Sequence, residues 1–433
     1  MNRAVTAILF GAGQRGESVY GRYALAHPDE LQFVAVADPD PVRRRRFAAD
    51  HNIPEERQYI SWEDALDGKK NADAVINSTQ DRMHYASSMA AMAAGYDILL
   101  EKPMSDNMLH SVHLVQAAET YGCQMQICHV LRYSPFFSAL HDIVQSGRLG
   151  DVITVEHREN VSYWHMAHAF VRGNWRNQAQ SSPMILAKCC HDLDILHWTL
   201  GQRCRRLQSF GSLHHFLPEN APEGAPARCT DGCPVQEACP YDAERLYLDM
   251  SSEEWPVSVI SSTGDLSYEG RKHALQTGMY GRCVYACDND VVDNQTVNME
   301  FDQGASVVLF MHGHAHEGSR TMRYDGTKAT LRGAFYEDRN SVIEIIDHLS
   351  GQRWESVFPS STDSGHGGGD LGAIRNFIRA LRGEADVLTN PRSSVESHLM
   401  AFAAEESRLH NTVIDMEVFR KQAEMATEEL NRL

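Results

Sequence analysis

The chain has 433 residues, of which 42% are hydrophobic and 23% charged, with a formal net charge of −18. That length exceeds what a single hydrophobic core usually supports, so two domains are expected. The negative charge excludes nucleic acid and anionic membrane surfaces as partners, because both would repel it.

From the amino terminus, a short apolar run leads directly into a glycine loop, without the apolar region and small-residue cleavage site of an export signal. No segment approaches the roughly 18 apolar residues of a membrane span. The ten cysteines are expected as thiols, packing residues or metal ligands rather than disulfides, and a cytoplasmic protein is predicted. Strand-like runs at 6–10, 31–38, 72–79, 96–101 and 123–131 alternate with helix-like runs at 16–27, 39–52, 83–96 and 105–122. Short apolar strands alternating with amphipathic helices predict a doubly wound α/β domain with a parallel sheet, residues 1–135.

After a helix at 136–150 the pattern changes. Alternating segments at 152–160, 295–302, 305–316, 321–326, 328–333 and 341–347, punctuated by turns, predict a mostly antiparallel sheet. One helix at 192–201 interrupts them, and the tail from about Asp370 reads as helical. The second domain, 136–433, is therefore expected to be α+β, with a Pro/Gly/Cys-rich insert at about 214–245.

Gly11, Gly13 and Gly16 form G-x-G-x-x-G between a predicted strand and helix. That loop, Gly11-Ala12-Gly13-Gln14-Arg15-Gly16, suits a dinucleotide pyrophosphate at a helix amino terminus. Asp38 closes the next strand, where a carboxylate binds the ribose hydroxyls of NAD and repels the extra phosphate of NADP. Arg43 to Arg46 could instead grip that phosphate, but they read better as a solvated helix face, so NAD is expected over NADP. Thr79, Gln80 and His84 follow the next strand and are expected beside the dinucleotide. Glu101 and Lys102 end the strand after that, where a lysine could relay the proton of an alcohol being oxidised.

These residues carry a resemblance. The glycine loop, the strand-end Glu101-Lys102-Pro103 step and the His191-x-x-Asp194 helix resemble the glucose-fructose oxidoreductase / inositol dehydrogenase (Gfo/Idh/MocA) family, over nearly the whole chain. The resemblance implies a Rossmann domain followed by a large open sheet through which dimers or tetramers assemble. It also implies bound NAD(P) and hydride transfer from a ring carbinol of a sugar, glycoside or cyclitol. Lys102 is then the catalytic lysine, Glu101 orients the nicotinamide end, and Trp175 and Arg176 lie near the cofactor. His191 is the acid/base, with Asp194 beside it. The sequence departs from the pattern at Ala187, where many family dehydrogenases have Asp; Lys188 and Cys190 stand nearby, and Asp192 is one candidate replacement. Some relatives use NAD transiently to hydrolyse glycosides, and the altered segment leaves room for that chemistry; a non-catalytic NAD-binding sensor is the third reading.

Substrate contacts are expected from His129, Arg132, Tyr133, Tyr163, Trp164, His165, His168, Lys188 and His366, since aromatic faces with polar donors suit a pyranose ring. Asp370 shares a glycine loop with His366, a lid candidate. Cys229, Cys233 and Cys239, with Cys283, Cys287, His214 or His215 as fourth ligand, suggest a structural zinc, with an iron–sulfur cluster and plain thiols as alternatives. His312, His314 and His316 share a strand face and are a weaker metal candidate.

Overall fold

The computed structural model describes residues 3–360 and 365–430. In the strand Val5–Phe10, the side chains from Ala7 to Phe10 are all fully buried, as a strand covered on both faces requires. Six strands form a parallel sheet in the order Gln58–Tyr59, Leu31–Ala37, Val5–Phe10, Ala74–Asn77, Asp97–Leu100, Met125–Ile127. Strand order reverses between Val5–Phe10 and Ala74–Asn77. At such a switch point the carboxyl ends of the strands open a crevice.

Ala7 and Leu9 face one apolar layer of this sheet, Ile8 and Phe10 the other. Helices His84–Ala93 and Met108–Tyr121 build the second layer with Met92, Leu114 and Val115. The first layer is completed from far along the chain. Ala373, Ile374, Phe377 and Ile378 of helix Gly369–Leu381 pack into it. Gln126 Nε2 donates to the Ala373 carbonyl at 2.8 Å, and the Ile127 N–H to the Thr389 carbonyl at 2.9 Å.

The second sheet has nine strands, in the order Arg353–Phe358, Ser341–Asp347, Ala329–Phe335, Ser319–Gly326, Val152–Ser162, Ser306–Ala315, Asn294–Phe301, Cys204–Ser212, Ile414–Asp415. Every neighbour is antiparallel except the central pair Val152–Ser162 and Ser306–Ala315. One face, including Val297 and Leu309, packs on Leu193 and Leu196 of helix Cys190–Leu200 and on Leu399 and Met400 of helix Pro391–His410. The architecture is therefore the Rossmann sheet plus large, mostly antiparallel sheet expected. Cys204–Ser212 and Arg353–Phe358 are additional strands, whose polar-rich sequences carry no alternation; pairing with a neighbour makes them strands.

Between Cys204–Ser212 and Asn294–Phe301 lies a long excursion with short helices Ala243–Tyr247 and Tyr268–Thr277. It has a small apolar cluster of its own, including Tyr247, Leu275 and Tyr280. Among the described residues no helix is long and apolar enough to cross a membrane.

Candidate active site

The glycine loop follows Phe10 at the switch point. Gly11 has φ +86°, and a Cβ there would stand 2.6 Å from the Ser78 carbonyl oxygen. A Cβ on Gly16 would lie 2.1 Å from the Gly11 carbonyl oxygen, so loop and helix can close only on glycine. A Cβ on Gly13 would meet nothing within 4 Å, which leaves this face of the loop open to an approaching group. Asp38 Oδ2 accepts the Ala12 N–H at 2.7 Å and Oδ1 the Asp40 N–H at 2.8 Å, which holds the carboxylate against the loop. A dinucleotide fits this arrangement: a bare backbone cradle, then a carboxylate at the end of the adjacent strand.

Arg15, inside the loop, is turned into the protein. Its Nε donates to Glu101 Oε1 at 2.5 Å and its Nη2 to Asp370 Oδ1 at 2.9 Å; Tyr20 OH also donates to Glu101, at 2.6 Å. Burial alone would push the Glu101 and Asp370 carboxyls up. For Glu101 the Arg15 and Lys102 charges and the Tyr20 and Arg15 hydrogen bonds together outweigh burial; for Asp370, Arg15 and His366 do so and hold it well below the usual carboxylate range. The glycine loop, the end of strand Asp97–Leu100 and helix Gly369–Leu381 thus meet in one ion-paired cluster.

Lys102 leaves the end of strand Asp97–Leu100 and donates from Nζ to the Ala187 carbonyl at 2.9 Å. Across from it, His191 begins helix Cys190–Leu200. His191 is only 3% exposed, and both of its ring nitrogens lack a hydrogen-bond partner. Buried polar atoms are almost always satisfied, so two ring nitrogens without a protein partner set His191 apart from the neighbouring histidines. Burial, then the Lys102 charge, holds His191 well below its ordinary pKa, so it is a neutral imidazole near pH 7. His129 and His366 stand with ring centroids 5.8 and 5.7 Å from it. Trp164 and His165 pack together nearby, both against Trp255 of the long excursion.

The NAD-binding Rossmann pattern of the Gfo/Idh/MocA oxidoreductases matches residues 5–129, and that family's carboxyl-terminal alpha/beta pattern matches residues 142–416. The chain belongs to the Gfo/Idh/MocA oxidoreductase family. YteT of Bacillus subtilis (strain 168), named as an oxidoreductase, is 24% identical over 362 residues, spanning 78% of this chain and 80% of its own. The scyllo-inositol dehydrogenase of Lactobacillus casei, solved with NAD(H) and scyllo-inositol, shares the fold at TM-score 0.66 and 14% identity, over 96% of this chain and all of its own. The WlbA dehydrogenase of Bordetella pertussis, solved with NADH and UDP-GlcNAcA, does so at TM-score 0.64 and 16% identity, over 95% and 99% of the two chains.

Against the Gfo/Idh/MocA expectation, several predicted residues are committed elsewhere. Arg132 forms a buried two-pronged pair with Asp194 at 2.6 and 2.7 Å, so it balances that carboxylate rather than facing a substrate. Tyr133 OH is tied to Asn376 at 2.9 Å and Thr389 at 3.1 Å, docking the carboxyl-terminal tail. His129 is fully buried between His191 and His398, reaching Ser397 Oγ at 3.3 Å. His84 spends both nitrogens on the Pro103 and Thr79 carbonyls, at 2.7 and 3.1 Å, bracing two strand-end loops. Thr79 donates to Asn77 at 2.8 Å, while Gln80 is exposed. His168 bonds Tyr247 OH at 2.8 Å and stacks on Tyr280. Arg176 clamps Asp288 of the excursion; Trp175 donates to Asp81 at 3.2 Å.

No carboxylate from the expected Asp192 replaces the one missing at Ala187. Asp192 is fully buried and taken by His157 at 2.8 Å and Arg320 at 2.9 Å. Lys188 instead pairs with Glu159 at 3.3 Å, and Arg320 bridges the same Glu159 at 2.7 Å. Nothing in the local sequence signals this network, because Glu159 and Arg320 come from neighbouring strands of the second sheet. Lys188, Tyr163, Trp164, His165 and His366 remain only partly buried; His165 lies within electrostatic reach of Lys102 and Lys188, and His366 packs against His191. Gln14 Oε1 accepts from Ser258 Oγ at 3.4 Å, so the excursion reaches the glycine loop as well.

Among the described residues no group of three or more His, Cys, Asp or Glu side chains already stands close enough to hold a metal. Among the described residues there is therefore no preassembled zinc site. The histidine trio is also dispersed: His312 bonds Asn160, His314 faces Asp293, and His316 lies beyond the strand.

Proposed function

We propose that this chain is an NAD-dependent dehydrogenase acting on a ring carbinol of a sugar, glycoside or cyclitol. The observation that carries the proposal is the buried, unpartnered His191 opposite Lys102, beside a glycine loop whose open face suits a dinucleotide. Gly11, Gly13, Gln14 and Gly16 would hold the pyrophosphate end, with Asp38 at the adenosine ribose. Bound there, the nicotinamide supplies the hydride acceptor. Neutral His191 accepts the proton of the substrate hydroxyl at Nε2 or Nδ1, and the Lys102 ammonium steadies the developing alkoxide. Lys102 is aimed by the Ala187 carbonyl, which does the orienting that a side-chain carboxylate would otherwise do. Trp164 and His165 offer a ring-sized apolar face, and Lys188 and His366 offer donors to the remaining hydroxyls.

NAD rather than NADP is supported by the Asp38 carboxylate and by the arginines around it. Arg43 faces Asp40 and Arg46 is held by Glu17, so these two charges are already engaged, while Arg44 donates to the Asp38 carbonyl. Division at about residue 135, and assembly through the open face of the large sheet, belong to the same proposal.

The test incubates purified protein and NAD with free sugars, cyclitols and aryl glycosides, following NADH by absorbance and products by chromatography. One NADH per keto product is the expected result. Released aglycone without NADH would replace the proposal by transient-oxidation hydrolysis, which the unusual Ala187 segment also accommodates. Tight sugar binding with neither product would make the protein a sensor.

A further inference from the structure

The long excursion between strands Cys204–Ser212 and Asn294–Phe301 carries one segment that runs back to the crevice. Trp255 stands on its aromatic side, with its ring centroid 5.5 Å from Trp164, 4.8 Å from His165 and 5.1 Å from His168. Further along, Ser258 Oγ donates to Gln14 Oε1 of the glycine loop at 3.4 Å. Gly264 then reaches helix Pro41–Asp50, which follows Asp38: a Cβ there would lie 3.7 Å from Arg46 Nη1 and 3.9 Å from Val42 Cγ1. In chain order the segment therefore passes the crevice aromatics, the glycine loop, and the helix beyond the Asp38 carboxylate.

This course is held from one point. Arg271 of helix Tyr268–Thr277 is fully buried. Its Nη1 donates to the Asp249 carbonyl at 2.7 Å and its Nη2 to the Ser252 carbonyl at 3.0 Å, both before Trp255. Its Nε donates to the Leu266 carbonyl at 2.7 Å, after Gly264. A guanidinium presents its donors in a fixed planar fork, so one side chain fixes the two ends of the segment relative to each other. Between those ends Val257 and Ile260 are buried, and Ile260 packs into the excursion's own apolar cluster with Tyr247, Leu275 and Tyr280. The segment is thus anchored in the excursion and meets the crevice through Trp255, Ser258 and Gly264. It leaves room beside the loop: Gln14 is touched, while a Cβ on the adjoining Gly13 would meet nothing within 4 Å. A segment laid on the loop for packing alone would fill that face, because a void forfeits dispersion contacts.

We propose that the segment from Trp255 to Gly264 forms the outer wall of the dinucleotide site, a strap laid along the cofactor and positioned by Arg271. The proposal rests on the reading of the glycine loop and Asp38 as the cofactor cradle. Loop and strap then face each other across the open side of Gly13, and the strap shields the pyrophosphate end from water. A dinucleotide behind a strap fixed at both ends leaves only when the middle of the strap lifts. That movement separates Trp255 from its aromatic neighbours and Ser258 from Gln14. Such a gate acts on entry as well as on exit, so it slows both rates and changes the equilibrium affinity less. Because Trp255 also backs Trp164 and His165, cofactor cover and aromatic wall are one element.

The test uses the full chain, with NAD and NADH as probes. Hydrogen exchange read by mass spectrometry is compared with and without NAD, and NADH uptake and release are timed by stopped-flow fluorescence. The amides of 255–264 are expected to exchange at least about tenfold more slowly with NAD bound. Trp255→Ala and Arg271→Lys are expected to take up and release NADH about tenfold faster, with Kd shifted less than either rate. A merely structural role would not speed uptake. Where Arg271→Lys does not fold, Trp255→Ala and the wild-type exchange pattern decide. NAD binding that leaves exchange at 255–264 unchanged would overturn the strap while leaving the cradle in place, as would wild-type NADH rates in both folded variants. A chain that binds no NAD would overturn both readings.

Discussion

Lys102 and His191 are chemically ordinary residues made unusual by what surrounds them. Lys102 touches a carbonyl rather than a carboxylate, and His191 touches nothing that hydrogen-bonds. Replacing Lys102 by Ala is expected to lower kcat by about 10²- to 10⁴-fold, the ordinary worth of a positioned proton-transfer group. NAD affinity, measured by calorimetry, should change little, since the glycine loop and Asp38 stand apart from the Lys102 amine. A Lys102→Ala enzyme with undiminished turnover would remove this residue from the chemistry. His191→Asn keeps a polar group of similar size and should lose a comparable factor in kcat with intact thermal stability, because no protein hydrogen bond is broken. A large drop in melting temperature instead would mean that the ring is a packing element.

Helix Gly369–Leu381 shows how one element can belong to two parts of the chain. Its apolar stripe covers the parallel sheet, and Asp370 in its first turn grips Arg15 of the glycine loop. Asp370 is 4% exposed at its side chain and Arg15 29%, so the pair is largely desolvated. Asp370→Asn removes one of the two carboxylates that balance Arg15 and is expected to cost about 3 kcal/mol. Calorimetric unfolding should show a lower transition temperature, and the KM for NAD should rise as the loop loosens. Unchanged melting would show that Glu101 alone suffices to hold Arg15. The helical character of this tail was legible in its periodicity. Its destination was not, since an amphipathic stripe says that a face is buried without saying against what.

Across the whole molecule, neutral buried histidines set the acid stability. Burial lowers His129 and His168 to about 3 and His398 to about 4. In the unfolded chain these rings protonate near pH 6.5. Between that value and the folded pKa the unfolded state binds more protons, so stability is lost as pH falls through the window. Each ring is expected to contribute a loss of roughly 1 kcal/mol per pH unit below 6.5. Melting temperature followed from pH 7 to pH 4 should therefore fall steadily, and His398→Gln should flatten the slope. A melting curve insensitive to pH over that range would contradict the buried, neutral state of these rings.

What the sequence determined by itself was everything carried by short-range pattern: the alternation that makes the parallel sheet, the loop at Gly11, Gly13 and Gly16, and the Glu101-Lys102-Pro103 step at a strand end. These follow from local sterics and periodicity, which a contiguous stretch contains in full. Only the tertiary structure decided which of the polar residues near the crevice are free. His84, His168, Arg132 and His191 look alike in sequence, as buried-prone side chains near strand or helix ends. Three are consumed by partners distant in the chain, Pro103, Tyr247 and Asp194, while His191 is left bare. A side chain's type is written locally, but its desolvation and its hydrogen-bond partner are properties of the neighbours that the fold brings to it.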